Sequence, residues 1–220
     1  MRGPAEVTHI EPRWPVVLTV VVVNLILMLL PNRIRVAPEW FPPLFGIAMI
    51  LPMVILSFTS TKARWLRIES IVTAIFLLIA GLAVIDELLS LLSSMLRHPT
   101  AVNGLRLLAS SIGVWASNVL IFSLVYWRTD RGGPEARANC CSTKPDWLFP
   151  TEGAPQEDVP LNWRPTFIDY LFLSYCSATA FSPAEAQPLT PRAKLLLMVE
   201  SIVSLVTVIA IAARAINILG

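Results

Sequence analysis

The run Ala193–Leu219 carries only Lys194, Glu200 and Arg214 as charged side chains. Long blocks of this kind recur along the chain, and such apolar lengths are what a bilayer demands of a crossing helix. They constrain the fold more than any other feature of the sequence. Hydrophobic residues make up 55% of the 220 residues and charged ones 15%, and the mean hydropathy is +0.66. That balance excludes an ordinary soluble domain. A net charge of +2 is too small to suggest nucleic-acid binding. The fold class expected is all-α: a polytopic membrane bundle of about five to six embedded helices.

Taken in order, Val16–Leu30 forms a first span, with Trp14 as an interfacial anchor and Pro31 as its stop. It reads as a retained span, because no small-residue cleavage site follows it. Asn32–Pro43 is a proline-rich connection, and Leu44–Phe58 a second span kinked at Pro52. Lys62, Arg64 and Arg67 surround Trp65, a cytoplasmic interfacial signal. Ile68–Leu96 is a third, overlong stretch with Asp86 and Glu87 towards its far end, and Leu105–Trp127 a fourth. Residues 1–128 thus form a four-helix transmembrane region. Residues 129–165 form a hydrophilic loop with little regular structure expected, in which Trp147, Leu148 and Phe149 can dip back to the interface. In residues 166–220, Thr166–Phe181 is a short helix, and Thr190 caps a final helix with Pro191 in its first turn.

Orientation draws two opposed arguments. An internal N-terminus collects Arg2, Arg13, Lys62, Arg64, Arg67, Arg128, Arg131 and Arg137 on the cytoplasmic side, leaving Arg33, Arg35 and Arg97 outside. That bias favours six embedded helices with both termini cytoplasmic, in a bacterial inner membrane. Yet about 16 residues from Thr166 span about 24 Å, short of the ~30 Å core. Length favours a re-entrant helix, with five crossings, the long loop outside and an external N-terminus.

Among individual side chains, Glu200 is the leading candidate. It lies about ten residues into the final helix, flanked by Ser201 and Ser204, and an intramembrane acid is a functional hypothesis by default. It forms a cation-attracting ring, carries protons, or holds helices together as a hydrogen-bonded acid. Asp86 and Glu87 are adjacent, so they point about 100° apart and make no paired site. Asp169 opens the short helix, where an acid meets the helix dipole. Asn24, Asn118, Ser174, Ser177 and Thr179 are expected to bond between helices. Arg214 either snorkels or pairs with an acid, and shares a face with Asn217. Cys140 and Cys141 are adjacent in the loop and Cys176 sits in an apolar helix, a usage that favours reduced thiols. His9 and His98 are isolated. No metal spacing, phosphate loop or Ser-His-Asp arrangement is present, so no catalytic residue, metal or cofactor is expected and an enzyme is not.

The stretch Asp169–Pro191 resembles the pore module of tetrameric cation channels. Thr179, Ala180, Phe181, Ser182, Pro183, Ala184 and Glu185 fall without a gap on T-T-V-G-Y-G-D, and Pro188–Pro191 on the segment before the inner helix. Phe172, Ser174 and Tyr175 match the pattern upstream. The resemblance implies a pore hairpin with those seven residues at the constriction, in a homo-oligomer, a tetramer if it conducts. Both filter glycines are replaced, by Ser182 and Ala184, with Pro183 between them. A left-handed non-glycine residue costs roughly 1–2 kcal/mol, so potassium selectivity is not expected. The segments Trp163–Phe167, Asp169–Leu171, Ala178–Pro183, Ala213–Leu219 and Asp130–Ala138 also resemble the C-terminal part of uncharacterised bacterial inner-membrane proteins. The function expected is a channel-like protein with a weakly selective cation pathway along the last helix. The alternative is a non-conducting subunit of a larger membrane complex.

Overall fold

The computed structural model describes residues 14–29, 63–97, 104–138, 144–155, 157–159, 163–180 and 186–219. The expected second span Leu44–Phe58, both histidines, Cys140 and Cys141 lie outside them. The described chain is mostly helical, with α1 at Trp14–Leu29, α2 at Ala63–Arg97 and α3 at Gly104–Thr129. A short α4 follows at Pro134–Ala138, then α5 at Phe167–Thr179 and α6 at Pro191–Leu219. Two short strands, β1 (Trp147–Leu148) and β2 (Gln187–Pro188), pair antiparallel, with Trp147 opposite Pro188 and Leu148 opposite Gln187. Segments of α2, α3 and α6 are each long and apolar enough to cross a membrane: Ile71–Ser90, Leu108–Gly132 and Pro191–Ala213.

The bundle is built around α3. Helix α1 buries Val16, Val20 and Val23, one stripe at spacings of four and three, and turns Trp14, Leu18 and Leu25 outward. Helix α2 does the same with Thr73, Leu77, Ala80, Val84 and Leu88, exposing Ile71, Leu78, Leu82 and Leu89. Of its two adjacent acids, Glu87 is buried and Asp86 half-buried. Helix α3, packed on α1, α2, α5 and α6, is buried almost all round from Ser117 to Trp127.

The segment after α3 carries more structure than its composition suggests. A tight turn at Asp130–Gly132 takes Arg131 and Gly132 to positive φ (54° and 78°), and Gly133 follows at 96°. At that φ an L side chain is strained, and a Cβ on Gly133 would also lie 3.0 Å from the Arg128 carbonyl, so glycine is favoured there. The turn aims α4 back at the bundle. Arg137 on α4 donates to the carbonyls of Trp127 (2.8 Å) and Asp130 (3.0 Å), acceptors that the end of α3 leaves open. Its guanidinium carbon lies 5.8 Å from the Trp127 ring centre and 5.3 Å from that of Tyr170, cation–π contacts that favour the charge where water is scarce.

Two buried carboxylates complete this cap. Asp130 accepts the Asp146 backbone N–H (2.8 Å) and the Tyr170 hydroxyl (2.6 Å). Asp146 accepts from the Arg192 Nε (2.8 Å), from the other arm of that guanidinium, and from the Thr190 hydroxyl. Arg192 also reaches the Thr129 carbonyl, 2.9 Å away. Trp147 is fully buried, 4.9 Å from Tyr126 between ring centres.

These bonds set the directions of α5 and α6. Along α5, Phe167 meets Trp127, Tyr170 meets Asp130 and Ser174 reaches the Val119 carbonyl. Along α6, Arg192 meets Thr129, Glu200 meets Tyr126 and Ser204 meets Asn118. Both helices start at the C-terminal end of α3 and run back along it, parallel to each other. Thr179 therefore lies about 18 Å below Phe167, yet Gln187 is back at the cap. Eight residues extend to about 26–29 Å, enough for the return.

Burial raises the Asp146 pKa, but the bonds from Arg192 and Thr190 outweigh it and hold the carboxyl below its ordinary value. A lowered folded-state pKa contributes stability that is present above the unfolded value of about 3.9 and lost as pH falls through the folded one. Asp146→Asn is expected to cost about 1–3 kcal/mol at neutral pH. It should also flatten the acid limb of unfolding below about pH 4, followed by Trp fluorescence in detergent at pH 7 and pH 3.

Candidate functional site

Below the cap, α3, α5 and α6 meet around Glu200, which has 0% exposure. The Tyr126 hydroxyl bonds one carboxyl oxygen and the Ser174 hydroxyl the other. Ser174 is also 2.7 Å from the Val119 carbonyl. The Asn118 amide donates to the Ser204 hydroxyl (2.8 Å) and to the Glu200 carbonyl (3.3 Å). Among the described residues, no Lys, Arg or His forms an ion pair with Glu200.

The spacing behind this site is simple. Glu200, Ser204 and Thr207 repeat at four and three along α6, so they share one face with Val203 and Ala210, all buried. Leu195, Met198, Ile202, Leu205 and Ile209 form the opposite face, exposed and apolar. On α5, Tyr170, Ser174 and Ala178 make the matching buried stripe. Glu200 thus points into a single chain. A ring of such acids around a symmetry axis would have to form on the other face of the helix, where Ser201 is the polar residue beside the aliphatic ones.

Asp169 does what its place at the start of α5 suggests. Its carboxylate accepts the Thr166 N–H (2.7 Å), and the Thr166 side chain is bonded in return, a complete capping box. Thr179 ends α5, with its hydroxyl 2.8 Å from the Tyr175 carbonyl. Ala180 is the left-handed cap (φ 53°) and is exposed. Phe181, Ser182, Pro183, Ala184 and Glu185 lie outside the described residues, as do the side chains of Arg214 and Asn217. The expectation of bonds between helices holds for Asn118 and Ser174. Asn24, Ser177 and Thr179 bond carbonyls of their own helices instead, which satisfies the side chain without a neighbour.

Sequence position alone does not mark Tyr126, Tyr170, Asp130, Arg137 and Asp146 as site residues. Tyr126 reads as a rim aromatic and Asp130 as a loop acid. The available signal was the density of turn-forming and charged residues in Asp130–Ala138 directly after a span. Among the described residues, no group of three or more His, Cys, Asp or Glu side chains is placed to hold a metal ion.

Tyr126→Phe removes the phenol donor and leaves a buried carboxyl oxygen unmatched. The expected cost is about 1–3 kcal/mol, read as a lower midpoint of detergent-induced unfolding. Compared with known proteins, the chain matches no family model, no curated protein and no solved structure.

Proposed function

We propose that the protein is a channel-like membrane module in which α3 is the outer helix, α5 a re-entrant helix and α6 the inner helix. The observation that carries this reading is the shared starting level of α5 and α6 at the end of α3. A helix that dips in, a chain that returns to the same side, and a second helix that then crosses is the hairpin a pore module needs. It supports five crossings, with Thr179–Glu185 at the turn as the constriction of a weakly selective cation pathway between copies. Glu200 in this arrangement anchors α5 to α6 rather than facing ions.

A second reading has its own support. Apart from Ser201, the outward face of α6 from Leu195 to Ile209 is apolar, a surface suited to lipid or to neighbouring membrane helices and poor as the wall of a wet pore. On that ground the protein is a non-conducting subunit of a larger bacterial inner-membrane complex.

Two measurements separate these readings. In a chain with Cys140 and Cys141 replaced by Ser, cysteines at position 148 in the cap and 185 in the return should both react with an impermeant thiol reagent from the same side of sealed vesicles. Labelling from opposite sides would sink the re-entrant hairpin. The purified protein in liposomes should then pass monovalent cations above the protein-free level. No flux at any pH or voltage leaves the subunit reading standing.

A further inference from the structure

We infer that Glu200 is a proton-binding site, held in the folded protein as the neutral acid, whose own O–H latches α5 to α6. The inference rests on the membrane setting and not on conduction.

The argument is a count of protons. Three oxygen–oxygen contacts meet at the site: Tyr126 to Glu200, Ser174 to Glu200, and Ser174 to the Val119 carbonyl at 2.7 Å. Each needs one hydrogen between its oxygens. A phenol carries one, a serine hydroxyl carries one, and a backbone carbonyl carries none. With Glu200 ionised, two protons must serve three contacts, so Ser174 either splits its single hydrogen between two acceptors, weakening both bonds, or leaves one pair of oxygens facing lone pair to lone pair. With Glu200 protonated the count closes. Tyr126 donates to one carboxyl oxygen, the acid O–H on the other donates to Ser174, and Ser174 passes its own hydrogen to Val119. The three donors then form one directed chain from Tyr126 on α3 through Glu200 on α6 and Ser174 on α5 back to the Val119 carbonyl on α3.

The charges around the site agree. From α3 the group faces Tyr126 and Asn118, from α5 it faces Ser174, and along α6 Ser204 lies one turn on. None is a cation. Arg192 is about 12 Å up the same helix and is committed to Asp146 and Thr129, while Lys194 is exposed. A carboxylate at 0% exposure with no cation beside it is the costly case, and the neutral acid is how such a site is relieved. Asn118 is engaged at the Glu200 backbone carbonyl and at Ser204 rather than at the carboxyl, so it supplies no further donor there.

Glutamine copies the acid form. Its oxygen accepts from Tyr126 and its NH2 donates to Ser174, so Glu200→Gln should fold and keep the wild-type unfolding midpoint at neutral pH. Infrared spectra of the full chain in nanodiscs carry the decision. The wild type at neutral pH is expected to show a carboxylic-acid carbonyl band that is lost in E200Q. Ser174→Ala, which removes the acceptor of the acid O–H, should move that band to higher wavenumber. An E200Q difference spectrum that loses carboxylate bands instead, or that leaves the acid region unchanged, would overturn the proposal. A glutamine variant that does not assemble would overturn it as well, because glutamine supplies the same donor and acceptor.

Discussion

Asp130 and Asp146 are both lost to water, and a carboxylate taken out of water must be matched by donors or become a large penalty. Tyr170, in the first turn of α5, donates to Asp130, and Thr190 and Arg192, at the start of α6, donate to Asp146. Asp130 itself follows the end of α3, whose open carbonyls Arg137 caps. Satisfying two acids therefore brings three helix ends to one level. Once α5 and α6 are compelled to begin together, eleven residues, 180–190, must bring the chain back from the end of α5 to the start of α6. The hairpin is thus a consequence of electrostatics at the cap.

Glu200 solves the same problem by other means. Near the cap, where guanidinium groups can keep part of their surface in water, Asp146 takes an arginine whose side chain is 60% exposed. One and a half turns or more below, an arginine would need its own set of buried acceptors, and Glu200 is instead met by hydroxyls. Other polar groups in the bundle follow a thriftier rule. Thr19, Thr207, Ser177 and Asn24 each return their hydrogen to a carbonyl of their own helix. Among the described residues, hydrogen bonds that join helices meet at Glu200, Asn118 and Ser174, where α3, α5 and α6 need a common register.

Much of the bundle is legible in the chain. Helix limits at Trp14, Thr166, Thr190 and Pro191 follow from rims, caps and prolines that act locally, and the capping role of Asp169 needs only the Thr166-x-x-Asp169 spacing. The burial of Glu200 at the centre of α6 follows from its position among aliphatic residues. The sequence marks Asn118 and Ser174 for bonds between helices, but it does not show which distant residue meets which. Trp147 and Asp146 sit in a segment whose Pro, Gly and charge content marks a loop, and nothing nearby shows that Asp130 and Arg192 wait to receive it. Tyr126 looks like an interfacial aromatic because its partner lies 74 residues away. Period and composition report which face of a helix is apolar; they are silent on which polar residue of another helix meets it.

The conflict between charge and length has the same origin. The two arguments oppose each other only if the hairpin dips from the outer face, as the resemblance implies. The hairpin here begins at the cap, and the cap carries Arg128, Arg131, Arg137, Lys144, Arg164, Arg192 and Lys194. Helix α2 precedes α3 across six residues, 98–103, so close packing of the two is antiparallel. That sets the N-terminal end of α2 towards the cap as well. In the proposed topology the basic side is cytoplasmic, and the hairpin re-enters from that side. The N-terminus then stays inside, the short length of α5 is what a dipping helix requires, and the end of α6 with Arg214 faces outward. Both constraints are met together, at the cost of an inverted hairpin relative to the channels it resembles.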